Sequence, residues 1–361
     1  MSAPRSPSLA VFLDPQQEAL IEAIIHACNM PLACIGGWSR SSALSARFSA
    51  PACDDLRSLL ERTDIAALAS GDILLIASPR DFGTRPEDAR AINTALRRGV
   101  RLYSFDPIPQ SPADLVHYAL FAPVTELSDF LPPNIYPLAL PTHQHIMTEA
   151  SEVIAAFGMV RSLSMTVTSR MGELSLGSRL FAAMDAVVAF MGPQVPAWID
   201  AANTAPLSRQ RSSTSSESLT SLQGDINAML RYDDARSAVL SISDMAGASD
   251  PDAFELSLLG PQGRLVISQN NFTWFAPDGS VQDTYQTPVE STSAARMVAP
   301  MLEHQRTHSP ASGDPSVFAA PARLRHGQPI SLRALILAHT ALLSIRTGHP
   351  ESPSTIADMF K

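Results

Sequence analysis

The fold class this sequence predicts is a doubly wound α/β layer followed by an α+β domain with an open antiparallel sheet. Three observations predict it. In the first 120 residues, short apolar runs alternate with amphipathic stretches of helix length. From about residue 123 the runs change to period-two alternation around hairpin turns. Between the two textures lies a proline-rich stretch, residues 131–141 (LPPNIYPLALP), which reads as a linker.

The elements follow in order. Residues 9–13 (LAVFL) are a buried-strand run, and residues 16–29 (QQEALIEAIIHACN) carry Leu20, Ile24 and Ala27 in line at helical spacing. A second strand is predicted at 32–35, and a short helix at 54–62, where an Asp cap precedes Leu56, Leu59 and Leu60. Residues 72–77 (DILLIA) give a third strand, 85–98 a helix and 101–104 a fourth strand. Strands separated by helices of this length imply right-handed crossovers and a parallel sheet.

In the second half, 148–157 reads as a helix, 160–168 (VRSLSMTVT) as a half-buried strand and 181–191 as a buried helix. Residues 225–243 hold two alternating runs around Tyr232-Asp233-Asp234, and 254–259 and 264–268 flank the turn Gly260-Pro261-Gln262-Gly263. The stretches 208–221 and 288–321 read as loops, and 331–348 as a closing helix. The resulting division is 1–122 and 123–361, with the last helix expected to pack back on the first domain.

Composition bounds the function. A net charge of −9 argues against a nucleic-acid or anionic-membrane surface. No stretch reaches the roughly 18 apolar residues of a membrane span. Three cysteines, none in a CxxC pair, exclude a zinc site of Cys type and fit a reducing cytoplasm. No export signal is read before Asp14, so the expectation is a cytoplasmic protein. The sharpest exclusion concerns lysine. The 26 Lys and Arg are 25 arginines and the single Lys361, so no internal ammonium exists to donate a proton or form a Schiff base. The first glycine is Gly36, so no glycine-rich phosphate loop follows the first strand.

Three blocks, in this order, resemble the Gfo/Idh/MocA family of glucose–fructose and inositol dehydrogenase relatives. They are residues 54–79 (DDLRSLLERTDIAALASGDILLIASP), residues 89–115 (ARAINTALRRGVRLYSFDPIPQSPADL), and a second-domain set. That set comprises 183–192 (AMDAVVAFMG), 226–243 (INAMLRYDDARSAVLSIS) and 254–267 (FELSLLGPQGRLVI). The resemblance implies a Rossmann domain that binds NAD or NADP and an open sheet domain that holds a sugar or polyol. In such a protein a lysine and a histidine handle the substrate proton. It also implies association through the open sheet as a homo-oligomer.

Carried over residue by residue, the family's functional positions are vacated. The G-x-G-x-x-G positions read Asp14, Gln16 and Ala19, so side chains stand where bare backbone would approach a pyrophosphate, and Asp14 adds a like charge. The ribose-binding acid falls near Trp38, with Ser39 and Arg40 beside it. The Glu-Lys-Pro triplet reads Phe105-Asp106-Pro107, and an ionised aspartate accepts hydrogen bonds but donates none. Beside a diphosphate it is repulsive by roughly 1 to 4 kcal/mol at about 4 Å. The histidine three residues before Asp185 is Ala182, and its acidic partner is Ser178. Ser78-Pro79-Arg80 occupies the position of the loop that faces the nicotinamide, making Ser78, Pro79, Arg80 and Pro107 the remaining cofactor-binding candidates.

The remaining features read as structural. Asp106 is expected to cap a turn before Pro107, Asp185 to be a buried hydrogen-bonded group, and Cys34 to be an inert core residue. His143 and His145 would share one face of an extended segment but have no acid nearby before Glu149, and His304 and His308 sit in loop-like sequence, so no metal is expected. Arg97, Arg98 and Arg101 read as a solvated helix end. Two functional readings follow. One is a catalytically degenerate protein with a regulatory, scaffolding or small-polar-ligand-binding role, with no cofactor, whose partners are its own copies or an active relative. The alternative is a divergent NAD- or NADP-dependent oxidoreductase acting on a sugar or polyol.

Overall fold

In a computed structural model, residues 6–28, 30–37, 41–61, 68–111, 114, 135–138, 141–143, 145–170, 174–204, 219, 222–246, 253–287, 298, 302 and 331–358 are described. Two sheets organise them. The first is parallel throughout and is built from β1 (Leu9–Leu13), β2 (Leu32–Gly37), β3 (Ala52–Cys53), β4 (Ile73–Ile76), β5 (Arg101–Ser104) and β6 (Ile135–Pro137). Its strand order is β3-β2-β1-β4-β5-β6, so the winding reverses between β1 and β4. All five residues of β1 and all four of β4 are buried, the expected state of strands covered on both faces.

Helices α1 (Glu18–Ala27), α2 (Ser41–Phe48), α3 (Leu56–Glu61) and α4 (Pro86–Arg97) connect these strands. Helix α4 starts with Pro86 and carries Glu87 and Asp88 in its first turn, where the helix dipole favours negative charge. Asp88, 1% exposed, accepts from Arg57 of α3 and from the Gly83 amide, and so ties the two helices and the turn before α4 together. The sequence passed over α2, β3 and β6.

The Ile135–Pro137 strand corrects the linker reading: Leu102, Tyr103 and Ser104 of β5 pair with Ile135, Tyr136 and Pro137. A segment beyond position 122 therefore completes the first sheet. Proline is admissible there because β6 is an edge strand.

The second sheet is mixed, in the order β14-β13-β12-β11-β7-β10-β9-β8. Its strands are β7 (Ser162–Arg170), β8 (Trp198–Asn203), β9 (Asp225–Arg231), β10 (Ser237–Ala246), β11 (Ala253–Gly260), β12 (Gly263–Ser268), β13 (Asn271–Phe275) and β14 (Val281–Gln286). All neighbours are antiparallel except β7 and β10, which run parallel at the sheet centre, so the all-antiparallel expectation needs that one correction. Alternation is plain in β9: Ile226, Ala228 and Leu230 are buried, and Asn227, Met229 and Arg231 are exposed.

The predicted helix at 148–157 is two pieces, α5 (His145–Glu149) and α6 (Ser151–Phe157). Helix α7 (Leu176–Met191) is buried along its whole length and packs on β7 and β10. Helix α8 (Leu332–Thr347) has a Ser331 N-cap and ends at Gly348 with φ +68°, a left-handed position suited to glycine. It packs against α7 and β8, and a short α9 (Pro353–Asp358) closes on it.

Of the segments 208–221 and 288–321 read as loops, only residues 219, 298 and 302 reach the described set, and Leu219, Val298 and Leu302 are buried. The rest of both segments lies outside the described residues. Among the described residues, no helix is long and apolar enough to cross a membrane.

The first glycine of the chain has a packing role. A Cβ on Gly36 would lie 2.5 Å from the Phe12 ring and 2.6 Å from the Cys53 carbonyl. Gly36→Ala is expected to lower the unfolding free energy by about 1–3 kcal/mol through overpacking. Urea titration checks this; an unchanged midpoint would mean that Phe12 can move aside at no cost.

Candidate functional site

In an open parallel sheet, ligands enter where the winding reverses, outside the carboxyl ends of the strands. Here that point lies beyond Leu13 of β1 and Ile76 of β4. The chain leaves β1 through Asp14 into a single 3-10 turn, Pro15–Gln17, and passes directly into α1.

Three amides of this turn are used internally. The Asp14 N–H donates to the Gln17 side-chain oxygen at 3.2 Å, and the Gln17 N–H donates to the Asp14 carbonyl at 2.9 Å. The Glu18 N–H donates to the Pro15 carbonyl, and Pro15 has no N–H. Gln17 is buried, and its side-chain amide donates to the Ala77 carbonyl at 2.8 Å, crossing from β1 to the end of β4.

The Asp14 carboxylate spans the same gap. It accepts from the Ser78 hydroxyl at 2.6 Å, from Arg80 Nε at 3.2 Å and from a terminal Arg80 nitrogen. Arg80 holds φ +49°, a left-handed conformation uncommon outside glycine. Its side chain is 49% exposed, so the pair with Asp14 contributes only about 1 kcal/mol or less.

The sequence placed Asp14, Gln16 and Ala19 in the way of a ligand. Asp14 is there, but Gln16 and Ala19 are exposed, and Gln17 takes the buried position instead. The signal was available: Asp14 followed three residues later by Gln17 is a capping pattern at a helix start.

Beyond β5, Phe105, Asp106 and Pro107 are buried. Asp106, expected to cap a local turn, bonds instead to the start of α7. It is 5% exposed and accepts from the Ser175 hydroxyl, which in turn caps α7 by accepting from the Ser178 N–H at 2.9 Å. Ser178 donates from its hydroxyl to the Phe105 carbonyl. Two serines at the start of α7 thus hold the end of β5.

Burial pushes the Asp106 carboxyl up to about 6; the Ser175 bond opposes this, the nearby Asp14 charge adds to it, and Arg179 opposes it. Ala182 and Asp185 lie further along α7, both buried, the aspartate 2% exposed. Ser175 and Arg179 were not foreseen. The Ser175 N-cap before an apolar helical run was the legible clue to the first.

A third cross-link comes from α8. His339, 6% exposed, meets the Gln110 carbonyl through Nε2 at 2.5 Å. Burial pulls its imidazole down to about 4, the Gln110 bond opposing and Arg346 adding. The last helix therefore touches the first-domain segment after β5 while packing chiefly on α7 and β8.

The other candidates lie elsewhere. Trp38, Ser39, Arg40, His304 and His308 are outside the described residues. Pro141–His143 is a 3-10 turn and His145 begins α5, so His143 and His145 are not on an extended segment. Among the described residues, no group of three His, Cys, Asp or Glu could hold a metal ion. Cys28, Cys34 and Cys53 are buried and form no disulfide. Arg98 is half-buried and donates to the Leu60 carbonyl, which corrects the reading of 97–101 as a solvated end.

No family profile matches this chain, and no curated protein matches it by sequence. Solved structures do match by shape. A myo-inositol 2-dehydrogenase from Lactobacillus plantarum aligns over 96% of this chain and 99% of its own, with TM-score 0.59 and 12% identity. The chain shares the two-domain fold of that structure. Levoglucosan dehydrogenase in complex with NADH and L-sorbose aligns over 97% of this chain and 99% of its own, with TM-score 0.61 and 10% identity. An oxidoreductase from Agrobacterium radiobacter in complex with NAD+, L-tartaric acid and magnesium aligns over 97% and 100%, with TM-score 0.62 and 12% identity. The two-domain architecture implied by the Gfo/Idh/MocA resemblance is thus the one found.

Asp106 and His339 titrate in opposite senses. The folded-state pKa of Asp106 is raised, so its contribution is full below about pH 4 and is lost as pH rises through about 6. That of His339 is depressed, so its contribution is full above about 6.5 and is lost as pH falls through about 4. Each swing is about 3 kcal/mol. Between pH 4 and 6.5, Asp106→Asn is expected to gain about 3 kcal/mol relative to the native chain, and His339→Gln to lose a similar amount. Urea unfolding at the two pH values measures both; parallel stability curves for all three proteins would contradict these assignments.

Proposed function

We propose that this protein is a catalytically degenerate member of the dehydrogenase fold, acting as a binding or scaffolding protein. The observation that carries the reading is the accounting of amides after β1. A dinucleotide seated at the winding reversal is held by bare backbone N–H groups at a helix start. Here the Asp14, Gln17 and Glu18 amides are bonded within the turn, Pro15 offers none, and the Asp14 carboxylate faces the same space. These bonds and the Asp14 charge argue against a seat for NAD or NADP here. The absence of any internal lysine and of a histidine at Ala182 supports the same conclusion.

The open face of the second sheet supports an association role. Met229, Val239 and Leu259 are large apolar side chains left exposed on its strands β9, β10 and β11. A second copy or an active relative is the partner proposed.

One observation favours the alternative, a divergent NAD- or NADP-dependent oxidoreductase of sugars or polyols. With its carboxyl pushed up to about 6, Asp106 is protonated in mildly acidic solution and can then donate a hydrogen bond. Two of the matching structures are complexes with NADH or NAD+.

Calorimetric titration with NAD and NADP separates the readings. The degenerate reading expects dissociation constants weaker than about 1 mM, an affinity of about 4 kcal/mol or less. Low-micromolar binding would remove its support. Nicotinamide reduction with a panel of polyols would then establish the alternative.

A further inference from the structure

Two arginines at one end of the second sheet hold donors in reserve. Across β11, β12 and β13, Leu259 lies opposite Arg264 and Arg264 opposite Phe275, so the three side chains stand in one row on one face. Leu259 is 51% exposed, Arg264 is exposed and Phe275 is half-buried. Arg161, just before β7, stands beside this row, its N–H donating to the Leu259 carbonyl at 2.8 Å. With Pro261 and Pro277 of the flanking turns, these residues line an open groove of about 760 Å³. Small-ligand sites span roughly 300–1,000 Å³ and combine apolar walls with a few polar groups. Arg264 donates from Nε to the Ser257 hydroxyl at 3.1 Å, and its terminal nitrogens have no partner among the described residues. The Arg161 guanidinium has none there either. The acid of the nearer turn is already engaged: Asp278 accepts from the Ser280 N–H at 2.9 Å and from its hydroxyl at 2.6 Å. Main chain fixes the walls. Gly263 takes φ +105°, a side chain there would collide with the Phe275 carbonyl, and Trp274 Nε1 donates to the Gln262 carbonyl at 3.0 Å.

We propose that this groove binds a small anion with an apolar body, an aryl or alkyl phosphate or carboxylate. The guanidinium groups of Arg161 and Arg264 take the oxyanion, and Leu259 and Phe275 cover the body. Charge and apolar wall are both needed. Exposed arginines alone hold anions weakly in water, whereas the row beside them selects an anion that carries carbon. Leu259 also belongs to the open face where association is proposed above, so a second copy of the chain is the rival occupant. Charge decides between them: an apolar partner face would bury two unpaired guanidinium groups at a cost, and an anion pairs them. The lining residues belong to the second sheet, its turns and Arg161, so the groove is separate from the crevice beyond β1 and β4 and does not depend on whether a dinucleotide binds there.

Calorimetric titration of the full chain with phenyl phosphate and, separately, phenylacetate tests the proposal, with inorganic phosphate and acetate as the matching anions that lack an apolar body. At least one aryl anion is expected to bind with a dissociation constant of about 1 mM or tighter, and about tenfold tighter than its matching anion. Arg161→Gln and Arg264→Gln are each expected to weaken that binding about tenfold, the worth of one hydrogen bond to a charged group. Leu259→Ser is expected to weaken it severalfold. All three positions are exposed, and thermal unfolding confirms that each variant is folded. Preference for phenyl phosphate assigns the groove to phosphates, and preference for phenylacetate to carboxylates. An aryl anion bound no better than its matching anion would overturn the site, as would binding that survives both arginine substitutions. Sedimentation of the same variants reads the rival: assembly lost in Arg264→Gln and Leu259→Ser, with no aryl anion bound by the native chain, would give the groove to a second copy and overturn the proposal.

Discussion

Hydrogen-bond satisfaction of one turn governs the rest of this molecule. A strand that ends at a winding reversal and turns at once into a helix leaves several main-chain N–H groups unpaired. Those groups can be satisfied by an incoming anion or by the chain itself. Here the chain satisfies three of them. Asp14, Pro15 and Gln17 close a single 3-10 turn in which the Asp14, Gln17 and Glu18 amides find partners within the same short segment. The Gln17 side chain then reaches the Ala77 carbonyl, and the Asp14 carboxylate reaches Ser78 and Arg80. The ends of β1 and β4 are stitched together by side chains at the place where this architecture elsewhere leaves an opening.

The same use of polar groups joins the two halves. Asp106, Ser175, Ser178, Gln110 and His339 are buried or nearly so, and each takes part in hydrogen bonds that cross between the segment after β5 and helices α7 and α8. Buried polar groups destabilise a protein unless paired, so these bonds must be kept for the halves to stay apposed. A carboxyl that resists ionisation and an imidazole that resists protonation stand on the same seam. Their titrations change stability in opposite directions as pH moves between about 4 and 6.5.

Shape matches known structures where sequence does not. Structures at 10–15% identity align over nearly its full length. Such a fold needs only apolar residues at the right period and a few turns of the right hand. It does not need the residues of the crevice. The apolar runs of β1 and β4 and the alternation of β9 are plain, while side chains around the winding reversal bond to one another. Fold and site are separate properties here, and only the second speaks to what the protein does.

Much of the architecture was legible in the sequence because burial imposes period. LAVFL and ILLI could only be strands covered on both faces, the Gly260-Pro261-Gln262-Gly263 turn marked its hairpin, and Ser331 and Gly348 marked the last helix at both ends. That no glycine precedes Gly36, that Lys361 is the only lysine and that position 182 is alanine was also plain, since each is a matter of residue identity. What the sequence hid was long-range pairing. Ile135–Pro137 is three residues among prolines, too short to show a period, and becomes a strand only because β5 offers it an edge. The parallel pairing of β7 with β10 depends on which strands become neighbours, which no local pattern records. Nor could sequence choose Gln17 over Gln16 as the buried residue, or join Asp14 to Ser78 and Arg80 across more than sixty positions. Those choices are made by the direction in which the turn points its side chains once two distant strands lie side by side.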